Sequence, residues 1–129
     1  MYFAFLSLVF CFAQAQQINF LTATVGDLLD LLEAETVTSI QLVNSYLSRV
    51  DENNHQGLLL RAIIETAPRE SLIQIAQSCD ADRQQGIIKG PLHGIPILVK
   101  DNIATDVGLG MNTTAGNYGL RASPFISLM

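Results

Sequence analysis

The stretch Gly90-Pro91-Leu92-His93-Gly94-Ile95-Pro96-Ile97-Leu98-Val99-Lys100-Asp101-Asn102 decides how this chain is read. Pro91 and Pro96 fix φ, and Gly90 and Gly94 permit backbone shapes that other residues resist. The apolar run Ile95–Val99 is too short for a helix and reads as a buried strand. A stiff turn therefore feeds a strand that ends in Lys100. From spacing alone two readings of Lys100 stand. It can be a solvated lysine closing a strand, with its stem along apolar surface. It can also be carried to the edge of the core by Ile97 and Val99, where a partly desolvated ammonium loses its preference for charge and can serve as a base.

Upstream, residues 24–35 read as a helix with Thr24 as N-cap and Asp27 in the capping-box position. Leu28, Leu31 and Leu32 give it an apolar face. Thr38 and Gln41 make a second capping pair. They are followed by Val43, Tyr46, Leu47 and Val50 at amphipathic helical spacing. Asp51-Glu52-Asn53-Asn54 closes that helix. Leu58–Ile64 is a continuous apolar run and reads as a strand buried on both faces. Pro68 suits the start of a third helix, whose buried face is Leu72, Ile75, Ala76 and Cys79. Arg83 lies in its last turn, and Gly86 ends it in a left-handed cap. The order is ααβαβ, which implies an α/β architecture with helices covering a sheet. Two strands cannot make a sheet covered on both faces, so the pattern reads as the opening of a larger domain.

Residues 1–15 carry no charged side chain, and Tyr2–Phe12 is apolar before Ala13-Gln14-Ala15. This predicts a secretory signal peptide cleaved after Ala15, hence an extracellular protein; the run is too short for a stable membrane span. A buried N-terminal helix is the competing reading of the same residues. The chain of 129 residues has 7 Lys and Arg against 12 Asp and Glu, a net charge of −5. That balance gives no reason to expect nucleic acid or an anionic membrane as partner. Cys11 would leave with the signal, so Cys79 alone remains and no disulfide framework exists. Metal-ligand spacing and phosphate-cradling glycine loops are absent from the sequence, and neither a metal nor a cofactor is expected.

The Gly90–Asn102 stretch, continued by Met111-Asn112-Thr113-Thr114-Ala115-Gly116-Asn117-Tyr118, resembles the segment around the catalytic lysine of amidase-signature enzymes. The resemblance is weaker but collinear from about Thr24. That family hydrolyses carboxylic amides with a serine, a second serine in a cis peptide, and a lysine, on a single α/β/α sandwich. The resemblance implies that Lys100 is the base, acting on a small-molecule amide substrate. It also implies that residues 16–120 are the N-terminal part of such a domain.

Asp101 and Asn102 then support the lysine and its loop, or are ordinary turn residues. Thr113, Thr114 and Gly116 resemble the loop that borders the substrate, or form a polar turn. Asn112-Thr113-Thr114 is also a glycosylation sequon. One departure matters most. The family's serines belong to a Gly/Ser-rich motif beyond the lysine, and none exists here; Ser123 and Ser127 have no glycine neighbours. Residues 121–129 form an atypical apolar tail. The expectation is a fragment of a secreted amidase that is inactive alone. The alternative is a non-catalytic secreted binding module on a partial amidase fold.

Overall fold

The computed structural model describes residues 18–103 and 105–111. They form α1 (Val25–Glu33), α2 (Ser39–Asn53), α3 (Arg69–Gln84) and a single 3-10 turn at Val107–Leu109. Both capping boxes expected from sequence are present. Thr24 Oγ1 accepts from the Asp27 N–H and Thr38 Oγ1 from the Gln41 N–H. The Asp27 and Gln41 side chains bond back to the cap backbones. Pro68 stands as the N-cap of α3, and Gly86 follows its end with φ +75°, a conformation a β-carbon would oppose.

Leu28 and Leu32 of α1 meet Leu42 of α2 in the core. Each fully buried leucine contributes about 2 kcal/mol of transfer free energy. Ile18, Phe20, Ala23, Val37, Tyr46 and Ile95 pack around that cluster. The Phe20 ring meets Tyr46 edge-on at 5.1 Å, and Arg49 lies over Phe20 at 5.7 Å, so the segment before α1 is held against α2. α2 also packs on α3. There Ala76 is buried as expected, whereas Ile75 is exposed.

The expected order ααβαβ is not what the described residues show: they contain three helices and no strand. A strand exists only through backbone bonds to a neighbouring strand, and among the described residues neither apolar segment has one. The Leu58–Ile64 run instead turns back on the end of α2. The Leu60 and Arg61 N–H groups donate to the carbonyls of Asn53 and Asn54, both at 2.9 Å. Leu59 and Arg61 take positive φ, which breaks strand alternation. Buried Asn54 then clamps Ile63 at both polar groups, donating to its carbonyl at 2.7 Å and accepting its N–H at 3.0 Å. Ile97, Leu98 and Val99 make no backbone hydrogen bond among the described residues.

Candidate functional site

The Gly90–Pro96 turn is fixed to both α2 and α3. At its centre His93 is buried, 7% exposed. Its Nε2 faces the Cys79 carbonyl at 3.0 Å and its Nδ1 accepts the Lys89 N–H at 3.4 Å. The Arg83 guanidinium donates to the His93 carbonyl at 2.9 Å, and the His93 N–H donates to Gly90 O at 3.1 Å. Next to it, Gly94 has φ +84° and lies flat against Ser39. A β-carbon there would sit 3.3 Å from Ser39 Cβ, 3.7 Å from Cys79 Cβ, and closer still to the Ser39 hydroxyl.

Ser39 is itself fully buried at the start of α2. The Asp80 carboxylate of α3 accepts its N–H at 2.7 Å and that of Ile40 at 3.3 Å. One carboxylate thus fills two of the donors that a helix N-terminus leaves open. Lys89 forms an ion pair with Asp82 at the surface, which raises the lysine above its ordinary value, through the side-chain hydrogen bond first and charge second.

From this anchored turn the chain runs through Ile97, Leu98 and Val99 to Lys100. Lys100 and Asp101 stand at one side of a cleft of about 490 Å³. Val43, Tyr46, Leu47 and Val50 of α2 also line it, as do Ala62–Ala67 and Leu72. The sequence expectation that Ile97 and Val99 shield the lysine is not met: both are exposed, and so is Lys100. The Ile103 N–H donates to the Lys100 carbonyl at 2.9 Å, so Lys100–Ile103 closes a turn that contains Asp101 and Asn102. Thr113, Thr114 and Gly116, the sequon at Asn112, residues 1–15 and the 121–129 tail lie outside the described residues. Among the described residues no His, Cys, Asp or Glu cluster could hold a metal ion, and no helix is long and apolar enough to cross a membrane.

Sequence reasoning misses the residues that anchor the turn. No local pattern gives His93 or Arg83 a partner, and Asp80 caps a helix 41 positions upstream. The one available signal for His93 is its place between Leu92 and Gly94, inside a turn too stiff to leave a side chain loose.

The sequence model of the Amidase family matches residues 41–124. A Schizosaccharomyces pombe protein named as an amidase is 38% identical over 115 residues, covering 89% of this chain and 18% of its own. An Arabidopsis thaliana protein, also named as an amidase, is 41% identical over 103 residues, covering 78% of this chain and 19% of its own. Among solved structures, the native peptide amidase of Stenotrophomonas maltophilia superposes with a TM-score of 0.67 at 37% identity. That match covers 76% of this chain and 19% of the peptide amidase. The chain thus spans less than a fifth of the length of these relatives. Their α/β amidase architecture is the one within which its helices are placed.

Proposed function

The chain belongs to the amidase family, and from that premise we propose that it carries the base of a serine–serine–lysine amide hydrolase, with Lys100 in that role. The observation that carries this reading is the place of Lys100. It ends the segment leaving an anchored turn, within the residues matched to the family, at the side of an apolar cleft. Amide hydrolysis needs a nucleophile, a group to take its proton, and donors for the oxyanion. Here the Lys100 amine accepts the proton of the nucleophilic serine through the bridging serine, then returns it to the leaving nitrogen. Asp101 and Asn102 support the lysine, and substrate binding falls to Thr113, Thr114 and Gly116. Within these 129 residues no Gly/Ser-rich motif supplies the two serines that hydrolysis requires. Residues 1–15 direct it to the extracellular space. The exposure of Lys100 favours a second reading, a non-catalytic secreted binding module on part of the amidase fold.

Two experiments test these readings. In the first, residues 16–124 are joined to the remainder of the Stenotrophomonas maltophilia peptide amidase, and amide hydrolysis is compared with a Lys100→Met version. Turnover should fall at least about a thousandfold with folding retained, as when a member of a catalytic unit is removed. Near-normal turnover in Lys100→Met would exclude the base assignment, and inactivity of both would favour the binding module. For the export step, N-terminal sequencing of secreted protein should begin at Gln16; an intracellular product retaining Met1 would count against secretion.

A further inference from the structure

We infer that His93 is the positioning residue for Lys100, acting as a fixed-tautomer pin between α3 and the turn that delivers the lysine. The inference rests on the reading of Lys100 as the base. A carbonyl can only accept, so His93 Nε2, at 3.0 Å from the Cys79 carbonyl, carries the hydrogen. A backbone N–H can only donate, so His93 Nδ1, facing the Lys89 N–H, carries none. Two independent partners thus specify one ring tautomer. The ring joins positions 79, 89 and 93, while Arg83 holds the His93 carbonyl at 2.9 Å. One residue further on, Gly94 is seated on Ser39, so the turn cannot slide along α2 either.

Beyond Gly94, Ile95 packs on the α1–α2 core. Ile95 N–H bonds Leu92 O at 3.0 Å, Pro96 fixes one φ, and Ile97–Val99 make no backbone bond among the described residues. The direction in which the chain leaves toward Lys100 is therefore set by the turn that His93 ties to α3 and by Ile95 seated on the core. A group that must be held to within about half an ångström needs such support from behind it. His93 touches neither Lys100 nor the cleft, so its effect passes through the turn.

The test is nuclear magnetic resonance on the full chain and needs no turnover, so it succeeds or fails independently of the Lys100→Met experiment. At neutral pH the His93 ring should show a bare Nδ1 and a protonated Nε2. In His93→Ala the Lys89 amide should exchange about tenfold faster, the effect of losing about one hydrogen bond. The Lys100 and Ile103 amide signals should move while those of Leu32 and Leu42 stay in place. His93→Gln keeps a donor at reach of the Cys79 carbonyl and should restore the Ile95 and Ile103 signals. A reversed ring tautomer would overturn the inference. So would unmoved Lys100 and Ile103 signals in folded His93→Ala, or a failure of His93→Gln to restore Ile95 and Ile103, which decides the matter if His93→Ala unfolds.

Discussion

Gly94 shows how much a single hydrogen atom in place of a methyl can matter here. Its φ of +84° is one that a β-carbon disfavours, and the space beside it is filled by Ser39. Gly94→Ala meets both costs together, left-handed strain of about 1–2 kcal/mol and overpacking of a similar size. The expected loss is about 3 kcal/mol in chemical denaturation. Ser39→Ala removes the hydroxyl that would be struck first, so the double variant should recover part of that loss, as for residues in contact. Strict additivity of the two substitutions would show that the seat on Ser39 does not exist. Gly94 is legible from sequence as a permissive turn residue. Its contact with Ser39 is not, because it joins two distant positions through a tertiary packing that no local spacing records.

Among the elements, the helices are the most legible because their signals are local. A threonine followed three residues later by a carboxylate or amide is a chemical instruction complete within four residues, and it is carried out at Thr24 and Thr38. It also gives α1 an acid dependence. The Thr24 backbone N–H, then its hydroxyl, hold the Asp27 carboxyl below its ordinary value. A group lowered in the folded state lends stability that is present above its unfolded value, about 3.9, and is lost as pH falls through the folded one. Helix content and α1 amide protection should therefore drop as the pH falls below about 4. Asp27→Asn, which still offers an acceptor oxygen to Thr24, should flatten that drop. Parallel acid profiles for the two proteins would remove Asp27 from the account. At the second box, Thr38→Ala should cost about 1 kcal/mol in denaturant titration, the usual worth of an N-cap side chain. The apolar runs Leu58–Ile64 and Ile95–Val99 read as strands for a reason the sequence does state, their composition. Pairing is not written in composition: one run is captured by Asn54 and the end of α2, the other has no backbone partner over Ile97–Val99 among the described residues.

At the scale of the molecule the apolar surface is divided unevenly. Leu42 is completely buried between α1 and α2, while Leu98, in the segment that leads to Lys100, is 78% exposed. Leu58, Leu60, Ile64 and Ile97 are likewise open. Burial of the lysine's neighbours is the expectation that fails most clearly. The reason is physical: apolar residues become a core only when they are covered, and Ile97 and Leu98 stay 64% and 78% exposed. Stability of the described part should accordingly come from the helices. Leu42→Ala removes a side chain whose cavity cannot readily close and should cost about 3 kcal/mol. Leu98→Ser exchanges one solvated side chain for another and should stay within about 0.5 kcal/mol. It should also lower binding of a dye that reports exposed apolar surface, as expected for a contiguous patch rather than scattered single residues. Denaturant titration and dye fluorescence on the same samples decide it. A Leu98→Ser loss comparable to that of Leu42→Ala would mean that Ile97–Val99 is packed in solution. In that case the shielding of Lys100 expected from the sequence would be restored.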